Sequence, residues 1–274
     1  MQRLYNLSDD QTEYQINDRM SFMRFLGINL CEKVPDAKTI WKFKNDLAET
    51  ETVDKLFCMF DEHLENKGLI SHKGTIVDAT FVDAPRQRNS RDENKKIKNG
   101  VIPEEWEKPE NKSKLAQKDI DADWTKKNGE RHFEYKDHVK CDADSKLITN
   151  YSVTSASVHD SQRCLVFIGQ EDEVLYADSA YSGKPIALAL PENCKNQICE
   201  KGYRNSPLTS EQKMNNRRKS RIRCRIEQIF GFMTGAMHGI TIRSIGITRA
   251  WMNIGITNLV YNFCRYSYLK GASA

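Results

Sequence analysis

Three acidic residues are distinguished from the other carboxylates of the chain by the segments that contain them. Asp78 interrupts the apolar run at 75–80, Asp178 ends the apolar run at 174–178, and Glu227 lies in a strongly basic helical segment. A carboxylate within an apolar strand is costly to bury unless a cation or hydrogen bonds compensate its charge. The two aspartates therefore need a partner that the neighbouring sequence does not supply.

Carboxylates that converge repel one another, so some of them hold protons unless a cation lies between them. Mg²⁺ accepts carboxylate oxygens and keeps its other coordination positions for waters and phosphate oxygens. Two such ions about 4 Å apart can activate an attacking water or 3′-hydroxyl and stabilise the departing oxygen. Asp78, Asp178 and Glu227 therefore predict a site for Mg²⁺ or Mn²⁺ that acts on phosphate groups.

Each of these acids also has a purely structural interpretation. Asp78 can be a core aspartate that is hydrogen-bonded to Thr80 or to the backbone, and Asp178 can organise the turn that follows its strand. Glu227 can pair with Arg223, which lies one helical turn earlier. The three acids taken together, in this order along the chain, favour the metal interpretation.

Positive charge is concentrated just before Glu227. Residues 201–225 hold nine basic side chains and one acid, whereas the net charge of the whole chain is only +4. A solvated helix usually mixes both signs, and a basic surface of this kind binds phosphates without reading bases, so its binding weakens steeply with salt. The predicted DNA-binding residues are Arg217, Arg218, Lys219, Arg221, Arg223 and Arg225.

The composition of the 274-residue chain excludes several other classes of protein. Charged residues make up 29% of the chain, and no apolar run reaches the ~18 residues that a membrane span requires. The eight cysteines are scattered without the spacing of a zinc site. The first residues lack the basic-then-apolar order of a signal peptide, which predicts a cytoplasmic protein.

The first 70 residues predict a small helical N-terminal module. Ser8 and Gln11 have the spacing of a capping box at the start of a helix over 8–30, and two further helices are expected at 35–47 and 52–67. The third helix is expected to bury Leu56, Met59, Phe60 and Leu64. The module is either a helix-turn-helix-like DNA reader or a helical bundle that packs on the rest of the chain.

Residues 71–274 predict an α/β domain with a mixed sheet flanked by helices. A strand at 74–83 is followed by a polar insertion at about 84–131, for which little structure of its own is expected. This insertion either contacts DNA or is a mobile solvated segment. The later elements are a hairpin at 133–141 and 147–153, a helix at 160–168, strands at 173–178 and 197–201, and helices at 183–190, 208–234 and 248–268. This order is typical of an RNase H-like fold.

Four short strings within this order resemble the DDE transposases of bacterial insertion sequences, of the type named for insertion sequence five. They are Val-Asp-Ala-Thr at 77–80, Ser-Val-His-Asp at 157–160, Tyr-Ala-Asp-Ser-Ala-Tyr at 176–181 and Arg-Cys-Arg-Ile-Glu-Gln-Ile-Phe-Gly at 223–231. The resemblance runs through nearly the whole chain. It implies an enzyme that cleaves and joins double-stranded DNA, at terminal inverted repeats and at a target, with Mg²⁺ or Mn²⁺. Such an enzyme acts as a homo-oligomer on DNA in the bacterial cytoplasm, at the nucleoid.

The resemblance also implies roles for individual residues. Asp78, Asp178 and Glu227 would bind the metals, Arg223 matches the arginine of a tyrosine–arginine–glutamate–lysine signature, and His159 is a further candidate catalytic residue. Asp160 is expected to cap the helix that follows it.

The sequence departs from the family pattern at three places. Ser220 replaces the tyrosine of the signature, Thr234 replaces its lysine, and the chain begins later than the family's usual helical N-terminal region. These departures support an alternative, a truncated or domesticated DNA-binding protein that represses transposition without catalysis. A nuclease that cuts DNA without joining it would use the same site.

Overall fold

A single mixed sheet forms the centre of the computed structural model, which describes residues 1–127 and 129–272. Its strands are β1 (Thr75–Asp83), β2 (Asp123–Lys127), β3 (Glu130–Asp142), β4 (Ile148–Ser155), β5 (Val174–Tyr176) and β6 (Lys195–Asn196). The order across the sheet is β2-β3-β1-β5-β6, with β4 also paired with β3. β3 is antiparallel to β1, β2 and β4, whereas β1, β5 and β6 are parallel. The predicted mixed α/β sheet is thus confirmed, and it is consistent with an RNase H-like fold.

Helices cover the sheet and form the N-terminal region. They are α1 (Asp9–Asp18), α2 (Met20–Leu26), α3 (Ala37–Glu49), α4 (Thr52–Asn66), α5 (Arg91–Lys98), α6 (Glu104–Glu107), α7 (Lys112–Leu115), α8 (Ser161–Phe167), α9 (Lys184–Ala189), α10 (Ser210–Arg223), α11 (Arg225–Thr234) and α12 (Ile247–Ala272). Within the described residues, none of the helices has both the length and the apolar character needed to cross a membrane.

Strand β1 lies between two apolar cores. Ile76 belongs to the core that α11 and α12 cover, whereas Val77 belongs to the core that α8 and α9 cover. Because successive side chains of a strand point to opposite faces, Asp78 shares the face of Ile76. The sheet therefore directs Asp78 toward the side of the molecule where α11 packs.

The N-terminal helices start close to the predicted positions, but a helix break and some buried residues differ from the prediction. Ser8 and Gln11 form the expected capping box, while the extended backbone of Arg19 divides the predicted helix over 8–30 into α1 and α2. In α4 the expected burial of Leu56 and Met59 is wrong, since they are 44% and 66% exposed. The expected burial of Leu64 is confirmed. α4 also buries Phe57, whose ring packs edge-on against Tyr151 at 5.0 Å.

The insertion at 84–131 is structured, so the expectation of little structure is wrong. It contains α5, α6, α7 and β2, and Trp106 is completely buried within it. The indole Nε1 of Trp106 donates to Glu93 Oε1 at 2.8 Å, and the ammonium groups of Lys114 and Lys118 lie 5.6 and 5.1 Å from its rings. One buried aromatic residue with polar partners organises a segment whose sequence shows no apolar periodicity.

Two boundaries in the second half of the chain also differ from expectation. The predicted helix over 208–234 is divided at Cys224 into α10 and α11. In place of the predicted strand at 197–201, the assigned strand is β6 at Lys195–Asn196, although the backbone amides of Gln197 and Cys199 still donate to the carbonyls of Leu175 and Ala177.

Candidate active site

Asp78 and Asp178 extend neighbouring strands in the same direction. Ile76 of β1 pairs with Tyr176 of β5 in parallel register, and each aspartate lies two residues beyond its member of this pair. The Asp78 side chain is 18% exposed, and its Oδ1 accepts a hydrogen bond from the Ala79 backbone at 2.9 Å. Asp178 Oδ1 accepts one from the Ala180 backbone at 2.6 Å. The register therefore brings these two carboxylates to the same edge of the sheet.

Arg223 connects this edge to Glu227. From the end of α10, its Nη1 donates to Asp78 Oδ2 at 2.9 Å. Its Nη2 donates to Glu227 Oε1 in the first turn of α11 at 2.8 Å. The Glu227 side chain is 58% exposed. One guanidinium group thus bridges a strand carboxylate and a helix carboxylate that lie far apart in sequence.

The pKa values of the site reflect this convergence. Burial raises the pKa of Asp78 to about 6; the Ala79 hydrogen bond and Arg223 oppose the rise, while Asp178 and Asp160 add to it. Burial alone would lower the pKa of Arg223, but Asp78, Glu227 and Asp178 together raise it above its usual value. All three predicted acids therefore act electrostatically on the same guanidinium group, and a fourth acid, Asp160, acts on Asp78.

An oxygen-only set of carboxylates has the donor chemistry that Mg²⁺ and Mn²⁺ prefer. The three acids do not form a group whose ligand atoms all lie within 4.8 Å of one another; the described residues form two such groups elsewhere, His72 with Glu171 and Asp172, and Asp83 with His132 and Glu134. At the candidate site, Arg223 occupies the space between Asp78 and Glu227. The chemistry of these oxygen donors suits a divalent cation, and in this structure Arg223 pairs with two of the three acids.

His159 and Asp160 differ in their surroundings. His159 is exposed, and its Nδ1 lies 2.8 Å from the hydroxyl of Ser161. Asp160 makes no side-chain capping bond, because its carboxylate accepts a hydrogen bond from the mostly buried Lys136 at 2.8 Å. The expected capping role of Asp160 is therefore wrong.

Tyr181 is a site neighbour that the sequence reasoning missed. The residue is almost completely buried, and its hydroxyl has no hydrogen-bond partner among the described residues. Burial raises its pKa, and Asp78, Asp160 and Asp178 raise it further. The available signal was its position three residues after Asp178, at the end of the string at 176–181.

The basic residues near Glu227 fall into two groups. Arg217, Arg218 and Arg221 are exposed on α10. Lys219 instead donates to the Ile198 carbonyl at 2.8 Å, and Arg225 donates to the Ala143 carbonyl at 2.7 Å. Contact with DNA stays a prediction for all of these residues, and the exposed arginines are the ones whose charge is available to a ligand.

Comparison with protein families adds an independent finding. A family model described as "Transposase DDE domain" matches residues 70–263, and a second, described as "Transposase domain (DUF772)", matches residues 1–46. The first match spans more than half of the chain and includes Asp78, Asp178, Arg223 and Glu227. No solved structure matches the chain.

Proposed function

This chain belongs to the family of transposases with a DDE domain, and we propose that it cleaves and joins DNA strands at the ends of an insertion sequence. The observation that supports this proposal is the pairing of Asp78 and Glu227 with Arg223, together with the strand register that brings Asp178 to the same edge of the sheet as Asp78. A family whose members use divalent metal ions requires such a set of carboxylates. The finer assignment to the insertion-sequence-five type belongs to the same proposal.

We assign metal binding to Asp78, Asp178 and Glu227. Divalent cations held there would supply activation of a water or 3′-hydroxyl and stabilisation of the departing oxygen. Asp78 and Asp178 are fixed by neighbouring strands, which holds two of the ligands at a constant separation. Arg223 contributes its positive charge to a substrate phosphate near these acids. His159, exposed at the start of α8, is available to contact the same phosphate.

Double-stranded DNA is the proposed substrate, both as terminal inverted repeats and as target. Arg217, Arg218 and Arg221 contact its phosphates, while Lys219 and Arg225 keep the basic segment anchored to the protein through the hydrogen bonds described above. Neutralising phosphates releases counterions, so binding should weaken steeply with salt. We further propose a homo-oligomer on paired ends, acting at the nucleoid in the cytoplasm.

A strand-nicking assay with Mn²⁺, on DNA that carries the ends of the element, tests the enzyme directly. Asp78→Asn, Asp178→Asn and Glu227→Gln should each lower cleavage by about a hundredfold or more while DNA binding is retained, because only the metal ligands are removed. Glu211→Gln, an exposed acid of α10, is the matched control and should cleave normally. Wild-type-like cleavage by the three site variants would refute the assignment.

The alternative is a truncated or domesticated protein that binds DNA and represses transposition. Two residues favour it: Thr234 uses its hydroxyl to donate to the Phe230 carbonyl of its own helix at 2.9 Å, and Ser220 lies 3.8 Å from the sulfur of Cys199. Neither supplies the group that the family signature has at that position. Binding without metal-dependent cleavage by the wild-type protein would establish this alternative, and cleavage without a strand-transfer product would instead indicate a nuclease.

A further inference from the structure

A groove rich in positive charge runs between α5 and the hairpin of β2 and β3. Its lining includes five cationic side chains and a single carboxylate, that of Asp123. The cations are Arg91, Lys95, Lys98, Lys126 and Arg131. This surface is separate from α10, and the proposed catalytic site does not use it.

Both walls of the groove present their cations in a regular arrangement. Arg91, Lys95 and Lys98 follow one another at helical spacing, which places them on one face of α5. On the opposite wall, Lys126 and Arg131 are direct cross-strand partners. Like charges that face each other across two strands destabilise the pairing. Exposed cations therefore line both walls at some cost to the fold.

Internal acids do not neutralise these cations. Glu93 of α5 is already engaged by the Ser90 backbone, by Trp106 and by Lys114 at 3.5 Å. In the neighbouring hairpin, Glu134 and Glu130 lie near His132. Within residues 1–127 and 129–272, the ion pairs of this region leave all five groove cations without an acidic partner.

The walls are held in place by aromatic residues, of which Trp106 and Phe133 are buried and Trp124 is half-buried. α5 begins with a complete capping box of Ser90 and Glu93, and Glu93 also anchors the buried Trp106. Trp124 of β2 packs against Phe133 with ring centroids 5.3 Å apart. Since the helix and the hairpin are both fixed by these interactions, the charge pattern is a property of the fold and exists before a ligand binds.

We propose that this groove binds the phosphate backbone of DNA as a second binding surface, distinct from the basic surface of α10. The identification of the polyanion as DNA rests on the proposed function. Five cations against one acid give the charge complementarity that a phosphate backbone requires. Lysines and arginines that bind phosphates fix the position of DNA and carry no base preference. The half-buried Trp124 adds an aromatic surface at the edge of the groove.

Fluorescence anisotropy with a short random-sequence duplex, in the presence of a chelator that prevents cleavage, tests this proposal. The triple variant Lys95→Gln, Lys98→Gln, Lys126→Gln should raise the Kd by about tenfold and reduce the salt slope by about one for each phosphate that is no longer neutralised. The matched control, Lys96→Gln with Lys108→Gln and Lys112→Gln, removes three exposed lysines of the same insertion that lie outside the groove. It should bind like the wild type.

Acetylation mapping of the wild-type protein gives a readout that does not depend on variants. Bound duplex should protect Lys95, Lys98 and Lys126 from an acetylating reagent and leave Lys96 reactive. Equal protection of Lys96, or equal affinity of the two triple variants, would overturn the proposal. Absence of metal-dependent cleavage, with groove-dependent binding intact, would instead overturn only the proposed catalytic function.

Discussion

Arg223 is the residue on which the chemistry of the candidate site depends most directly. Its guanidinium donates to Asp78 and to Glu227, so it neutralises the same oxygens that a divalent cation would use. Charge neutralisation by an arginine reduces the repulsion between carboxylates at this half-buried site. It also places a positive charge in competition with the metal.

Replacing Arg223 with Gln should therefore separate metal binding from catalysis. Without the guanidinium, Mn²⁺ affinity should increase by about tenfold, equivalent to ~1.4 kcal/mol, because carboxylate repulsion is no longer relieved internally. Cleavage should nevertheless fall, since a substrate phosphate loses its cationic partner. Titration of Mn²⁺ by calorimetry without DNA measures the first effect, and the nicking assay measures the second.

Arg221→Gln is the matched control for this comparison, because Arg221 is an exposed arginine of the same helix. It should leave Mn²⁺ affinity unchanged and weaken only DNA binding. Weaker Mn²⁺ binding by Arg223→Gln than by the wild type would show that the guanidinium organises the carboxylates for the ion instead of competing with it.

The sequence identified Asp78, Asp178 and Glu227 because a carboxylate at an apolar strand or within a basic helix is locally unusual. The structure contains the pairing of Arg223 with Glu227 and the backbone hydrogen bond to Asp78 that a purely structural interpretation predicted, and Arg223 also pairs with Asp78. Metal binding by the three acids stays a prediction. Asp160 was assigned to the wrong role because its partner, Lys136, lies in another strand. An interaction of this kind leaves no local signal.

At the scale of elements, β3 and α12 meet through two buried polar side chains. Asn258 Nδ2 donates to Asp137 Oδ1 at 3.2 Å, and both residues are completely buried. Asp137 Oδ2 and Asn258 Oδ1 have no other partner among the described residues. A proton on Asp137 Oδ2 would remove the charge of this completely buried carboxyl group. Burial raises the pKa of Asp137 to about 8, which agrees with a neutral acid at this position.

The contact between β3 and α12 should therefore contribute less to the stability of the fold as the pH rises. The pKa of Asp137 is higher in the folded protein than its ordinary value of 3.8. The contribution of the protonated Asp137 side chain to the free energy of unfolding is therefore complete below about pH 4 and is lost as the pH rises through about 8. Asp137→Asn should remove this dependence, which is at most about 1.4 kcal/mol per pH unit. The free energy of unfolding of Asp137→Asn should thus exceed that of the wild type by an amount that grows from pH 5 to pH 8.

Urea unfolding at several pH values measures this difference. Burial lowers the pKa of His138 to about 4, so protonation of His138 destabilises both proteins on acidification. This effect is common to the variant and the wild type and cancels when the two are compared. Asp144→Asn, at a side chain that is 66% exposed in the following turn, should leave the pH profile unchanged. Parallel profiles for Asp137→Asn and the wild type would show that Asp137 is ionised in the folded state.

Elements with strong local signals were predictable from the sequence. The alternating hairpin, the capping box at Ser8 and the apolar helix that becomes α12 correspond to observed structure. The helices of the insertion were missed because α6 and α7 are only four residues long and owe their order to Trp106. In α4 the burial of Leu64 was predicted correctly, whereas Leu56 and Met59 are exposed. Phe57 is buried in their place by packing against Tyr151, and periodicity alone does not identify such a packing partner.

At the scale of the whole molecule, a net charge of +4 hides a strongly uneven distribution. Exposed cations are gathered on α10 and in the groove beside α5. Surface acids elsewhere offset them in the total without neutralising either surface. The sequence predicts individual DNA-binding residues only in the segment that becomes α10 and the start of α11, and it leaves DNA contact by the insertion as one of two alternatives, because residues 91–98 and 126–131 are brought together only by the fold.

One duplex that binds to both surfaces should lose affinity additively when both are neutralised. Arg217→Gln with Arg218→Gln and Arg221→Gln removes the exposed charge of α10, and the groove variant of Lys95, Lys98 and Lys126 removes the second surface. Distant sites without shared partners contribute independently to within about 0.5 kcal/mol, so the combined variant should show the sum of the two decreases in binding free energy and in salt slope. Anisotropy titrations over a series of salt concentrations measure both sums. If the two surfaces instead held separate DNA molecules, each single variant would keep one intact site and bind almost like the wild type, and only the combined variant would lose its affinity. That result would be expected if one surface binds the element's end and the other binds the target.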